Sequence, residues 1–145
     1  MLLVGLKNTA IQVVEANSQI NLGSTYRKFC KKCNGIKAFE INPFSISLQQ
    51  PGIYHILITA TVSAEAAGDI VLNLTENGEI VSTVTETITT PTTEFRNVTL
   101  HYFFLVDSSC LLGNRVTDFK QISLVNAGIE ATIENIVTDV IKVVY

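Results

Sequence analysis

The sequence predicts an all-β fold, a jelly-roll sandwich of two antiparallel sheets, and three observations predict it. Helical periodicity is nearly absent along the 145 residues, while β-branched residues and apolar–polar alternation recur throughout. About eight such runs, at regular spacing and separated by turn residues, make the pattern of a sandwich or jelly roll. Asn77-Gly78, set between two alternating runs, is the strongest two-residue hairpin signal because both positions tolerate positive φ.

Each element follows in turn. The opening Met1 to Leu6 run is too short for a signal-peptide core and lacks a basic start, so residues 2–15 read as a strand. Residues 17–35 are polar, basic and cysteine-bearing and read as a long loop with room for one short strand. Residues 36–41 and 44–48 flank Asn42-Pro43, a turn signal that predicts a small hairpin. Gln50-Pro51-Gly52 launches the clearest strand, 53–64, and Ala67-Gly68 turns it into the Asn77-Gly78 hairpin of strands 69–76 and 79–88. A Thr-rich loop around Pro91, a strand 94–106, a loop 107–119 and a strand 121–126 follow. Asn126-Ala127-Gly128 leads into a last strand ending at Tyr145. One domain is expected over 1–145, with an N-terminal strand, cysteine-bearing loop and small hairpin in 1–43 and the core sandwich in 44–145.

Composition narrows the function. Hydrophobic residues make up 47% and charged residues 16%, which argues against disorder and for burial beyond one monomer's core. The net charge is −3, and no basic stripe exists beyond Arg27, Lys28, Lys31 and Lys32, so no nucleic-acid partner is expected. No apolar stretch approaches the roughly 20 residues of a membrane-spanning helix, so no membrane insertion is expected and synthesis and assembly are placed in a cytosol.

Side chains alternate across a strand, so each face can be read separately. In the 69–88 hairpin, Ile70, Leu72, Leu74, Ile80, Val84 and Ile88 make one face, and Asn73, Thr75, Glu79, Thr83, Thr85 and Thr87 the other. One core face and one solvated face follow. Strand 53–64 differs. Tyr54, Ile56, Ile58, Ala60 and Val62 line one face, yet Ile53 and Leu57 lie opposite, beside His55. In strand 94–106, Val98, Leu100, Tyr102, Phe104 and Val106 oppose His101, Phe103 and Leu105. The final strand sets Ile133, Val137, Ile141 and Val143 against Ile136, Val140 and Val144. A large aromatic opposite the core marks an interface, so one sheet is expected to be covered on both faces, the second time by another subunit. The interface candidates are His55, Leu57, His101, Phe103 and Leu105. A monomer whose second face is covered by its own N-terminal segment is the plain alternative.

The segments QQPGIYHILITATVSA, GDIVLNLTENGEIV, NVTLHYFFLV and IENIVTDVIKVVY resemble the jelly rolls of tumour necrosis factor and of complement globular heads. The resemblance runs from Phe44 to Tyr145, with Gly52, Ile53 and Tyr54 at the position of the family's Gly-Tyr turn. It implies a tight homotrimer whose inner sheet contains the strands matching 53–64, 94–106 and 129–145. These are the double-faced strands. The short chain, with FCKKCNGI ahead of the Gly-Tyr strand, is also similar to small structural proteins of bacteriophages that decorate capsids or form head fibres. That similarity implies a non-enzymatic virion component assembled in the bacterial cytoplasm, with itself and a capsid or other virion protein as partners. The alternative is a receptor- or glycan-binding head at a cell surface or outside the cell.

Candidate chemistry is sparse. Cys30 and Cys33 form a CxxC, half of a zinc site or a redox pair, but redox use needs a βαβ context that is missing here. If 36–41 pairs with 44–48, Cys110 lies at the same end, and Cys30, Cys33 and Cys110 are candidates for a disulfide or thiolate zinc cluster against a reading as ordinary reduced thiols. His55 and His101 lack the His-x-His pair of a catalytic jelly-roll metal site. They read as interface side chains, or as groups whose protonation in acid loosens assembly. No Gly-rich phosphate loop, nucleophile elbow or credible carboxylate pair occurs, so neither catalysis nor a cofactor is expected.

Overall fold

The computed structural model describes residues 2–30, 39–111, 114–117 and 120–144. Fourteen strands and no helix make up these residues: β1 (Leu2–Asn8), β2 (Gln12–Val14), β3 (Ser18–Gln19), β4 (Ser24–Cys30), β5 (Phe39–Asn42), β6 (Ser45–Leu48), β7 (Gly52–Ser63), β8 (Gly68–Glu76), β9 (Glu79–Ile88), β10 (Arg96–Val106), β11 (Ser108–Leu111), β12 (Asn114–Thr117), β13 (Lys120–Asn126) and β14 (Ala131–Val144). Among the described residues no helix is long and apolar enough to cross a membrane.

Two six-stranded antiparallel sheets form the sandwich. The first, sheet A, runs β10-β7-β14-β1-β4, with β2 added beside β14. The second, sheet B, runs β5-β6-β13-β8-β9, with β3 beside β13. Their facing side chains share one apolar core, in which Leu6, Tyr54, Ile56, Leu74, Phe104, Ile122 and Val140 are all buried. Tyr54 also anchors the turn that precedes it. Its hydroxyl donates to the Gln50 carbonyl at 2.7 Å, while Gly52 takes φ 150°, a value that side-chain-bearing residues rarely adopt.

Asn77-Gly78 forms the β8–β9 hairpin, with φ 51° and 86° at its two positions, as the turn chemistry requires. The β5–β6 pairing around Asn42 to Ser45 also forms. Two expected loops carry more structure than their composition predicts. Residues 17–35 hold β4, which pairs along β1 from Leu2↔Cys30 to Lys7↔Ser24, and 107–119 hold the β11–β12 ribbon. β4 is a polar strand at the edge of sheet A and β11–β12 is a separate two-stranded ribbon, and neither gives a long core-facing alternation to read.

Two bulges reverse the facing of individual residues. In β9 the register shifts opposite Leu74/Thr75, so Ile80 leaves the core face assigned to it and is 61% exposed. In β14 a shift between Glu134 and Val137, with Asn135 at φ 53°, inserts one residue. The core-facing set is therefore Ala131 and Ile133, then Ile136, Thr138, Val140 and Lys142. Ile133 lies in the core rather than with Val137, Ile141 and Val143, because an extra residue flips every later side chain to the other face.

Candidate functional site

The outer face of sheet A, turned away from the core, carries the site. β7 and β10 run side by side in antiparallel register, with Phe103 opposite His55, His101 opposite Leu57 and Leu105 opposite Ile53. Because 54, 56, 58, 100, 102, 104 and 106 face the core, the intervening His55, Leu57, His101, Phe103 and Leu105 must project together on the other side. All five interface candidates thus share one patch.

The patch is apolar and open. Phe103 and Leu105 are each 58% exposed, and Val143 on β14 is 46% exposed. β14 extends the surface, since Ile141 aligns with His55 and Asp139 with Leu57. The Phe103 ring packs against His55 with centroids 4.7 Å apart, and the His55 and His101 rings lie 5.9 Å apart. Exposed aliphatic and aromatic side chains on neighbouring strands form the kind of contiguous apolar area that marks a protein contact surface.

Toward β1 and β4 the same face becomes polar. Tyr26 donates its hydroxyl to Asp139 at 2.8 Å, and Arg27 pairs with the same carboxylate at 3.1 Å. The hydrogen bond to Asp139 raises the Tyr26 phenol and the Arg27 guanidinium above their ordinary pKa values. Gly5 makes this cluster possible, because a Cβ there would approach Tyr26 to 2.6 Å and Asp139 to 2.8 Å. The residues of this polar half escape a sequence reading that takes 17–35 as a loop. The Arg27 to Lys32 charge run was visible, but the partner of Arg27 lies 112 positions away.

Cys30 and Cys110 lie apart from the patch in the register. Cys30 closes β4 opposite Leu2, Cys110 sits in β11 opposite Arg115, and Cys33 lies outside the described residues. Leu2 aligns with Lys142, Lys142 with Tyr54 and Tyr54 with Phe104. Cys30 and the end of β10 that leads to Cys110 therefore belong to the same end of sheet A, on strands at its opposite edges. A second surface feature is an open depression of about 410 Å³ lined by Gln12, Val13, Asn21 and Phe44. Gln12 there exchanges two hydrogen bonds with the Asn21 backbone, at 2.8 and 3.0 Å.

No protein-family model and no curated protein sequence matches the chain. Solved structures do. The globular domain of zebrafish complement 1qA protein superposes with TM-score 0.63 at 8% identity, covering 99% of this chain and 98% of that one. Murine APRIL at pH 5.0 gives 0.67 at 9% identity, over 96% and 97%. PRD1 vertex protein P5 gives 0.52 at 18% identity, over 97% and 96%. At these identities the likeness concerns the fold. The chain has the jelly-roll fold of the tumour necrosis factor and complement globular-head type, and PRD1 vertex protein P5 shares it.

Proposed function

We propose that this chain is a non-enzymatic structural protein that assembles as a homotrimer, with the outer face of sheet A as its contact surface, and that it serves as a capsid decoration or head-fibre component of a bacteriophage virion. The observation that carries self-association is the exposed Phe103, Leu105 and Val143 surface, with half-buried Leu57 among them, on strands whose opposite side is already filled by the core. Leaving it in water forfeits a hydrophobic term that a second copy would recover. The trimeric stoichiometry draws on the family resemblance. The virion setting draws on the phage-like sequence features and on the likeness to PRD1 vertex protein P5.

Light scattering coupled to size exclusion tests the assembly, with a mass of three times 15.9 kDa expected and a monomer mass overturning it. Binding of the purified trimer to capsids lacking their decoration proteins tests the virion role.

A receptor- or glycan-binding head is the second reading. The Phe44 and Val13 side chains at the Gln12–Asn21 depression favour it, because exposed apolar groups beside amides suit sugar or loop contacts. A glycan array with the intact chain separates the two, since a defined sugar ligand abolished by Phe44→Ala would favour the head.

A further inference from the structure

His55 and His101 stand on adjacent antiparallel strands, two register positions out of step: His101 is opposite Leu57, and His55 opposite Phe103. Both point to the outer face, and their ring centroids are 5.9 Å apart with planes inclined by 51°. Imidazole binds divalent transition metals through a ring nitrogen at about 2.0–2.1 Å, which puts each ring centroid roughly 3.2 Å from the ion. Two such rings at a tetrahedral angle have centroids about 5.2 Å apart, and about 6.4 Å apart when they oppose each other across the ion. The observed spacing is about 0.7 Å wider than the tetrahedral value, a difference that side-chain rotation of the exposed His101 can close.

We propose that His55 and His101 form a two-imidazole binding site for a divalent transition metal of the nickel, copper or zinc class. Neutral imidazole is a good ligand for each of these ions, and the pair offers no carboxylate that would favour calcium or magnesium instead. The Phe103 ring, 4.7 Å from that of His55, restricts the imidazole's motion and so lowers the ordering needed on binding. The nearby Asp139 is held by Arg27 and Tyr26, so the guanidinium is turned to that carboxylate rather than to the imidazoles. The remaining coordination positions go to water, or to imidazoles of other copies when the face is shared. The site is built within a single chain and does not depend on the trimer.

Nickel titration of the intact chain by calorimetry, at about pH 7.5, tests the site. Binding is expected, and His55→Gln or His101→Gln should each weaken it about 100-fold, because the second ligand acts as an intramolecular one. A chain with Cys30, Cys33 and Cys110 all changed to serine should bind nickel as the parent does. Absence of nickel binding by the parent overturns the site. So do histidine variants that bind like the parent, or loss of binding in the serine variant. Both histidines project outward, and thermal melts check that each variant is folded. Nickel-induced broadening of both imidazole proton signals provides a second readout that needs no variant. Light scattering with and without nickel separates this site from the assembly: metal binding by a monomer leaves the site standing and removes the trimer.

Discussion

Replacing Phe103 by aspartate tests the proposed contact surface at its largest exposed side chain. The side chain is 58% exposed, and a buried Phe removes roughly 200 Å² from water, so about 115 Å² of ring is available to a partner. At about 25 cal/mol per Å² that area corresponds to roughly 3 kcal/mol per interface, or about 100-fold in its association constant. A closed trimer has three interfaces, so its overall constant falls about 10⁶-fold. The concentration at half-assembly varies as the inverse square root of that constant and rises about 10³-fold. The carboxylate adds to the loss, since it would be desolvated without a partner. The fold should survive, because the core neighbours Tyr54, Ile56, Leu100 and Phe104 lie on the other face. Sedimentation over a dilution series measures the shift, and an unchanged thermal melt of the monomer checks the fold. A variant that remains trimeric at the parent's concentration range would refute the assignment of this face to the interface.

Four further outcomes are expected. Asn126→Ala should lower unfolding free energy by about 3 kcal/mol in denaturant titration, because its buried amide donates to the Val14 and Ile129 carbonyls at 3.0 and 2.8 Å and accepts from Gly128. Thr138→Val should raise stability by about 1 kcal/mol, since the Thr138 hydroxyl is buried without a hydrogen-bond partner; a lower melting temperature would show that the hydroxyl is satisfied. Hydrogen bonds from the Thr89 hydroxyl and the Thr90 amide hold the Glu94 carboxyl down to about 2 from its ordinary 4.5. A depressed acid stabilises the fold above its unfolded value and loses that contribution as pH falls from 4.5 toward 2, so the stability gap between the parent and Glu94→Gln should close over this window in acid melts. Intact mass before and after reduction, with metal analysis, reads the cysteines: a gain of about two daltons on reduction for each bond, or bound zinc, marks a Cys30, Cys33 and Cys110 cluster, and neither marks free thiols.

The core strands were legible because period-two patterning over a dozen residues leaves little choice of face. In β7 and β10 the buried set of Tyr54, Ile56, Ile58, Leu100 and Phe104 is the set that alternation selects. The outer patch was legible for the same reason, since an aromatic at the wrong parity stands out. Bulges were the main obstruction. Asn135 in αL and the slip in β9 each depend on backbone geometry that no apolar pattern encodes, so Ile80 and Ile133 change sides without warning. β4 stayed hidden because Ser24, Thr25, Tyr26, Arg27 and Lys28 are all exposed, and its strand conformation comes from hydrogen bonding to β1 and from the Asp139 contacts of Tyr26 and Arg27. The histidine pair needed the register itself, because a one-step offset between β7 and β10 decides whether two residues 46 positions apart become neighbours.

The edges of the sandwich bear on the same assembly. Among the described residues, β10 ends the path of sheet A and β9 ends that of sheet B, so two long strands there present backbone groups with no strand partner on one side of the sandwich. Such edges invite further strand pairing unless something covers them. A cyclic trimer joins two different patches on each subunit, since only a twofold contact lets a patch meet its own copy. In the proposed trimer the apolar outer face of sheet A would be one patch and the β9–β10 edge the other, because β10 belongs to both and its outward Phe103 and Leu105 lie at their boundary. Closing the ring would then shield the apolar face and the free edges together, without any added element, and would leave the Tyr26–Asp139–Arg27 cluster at the margin where charge is least costly.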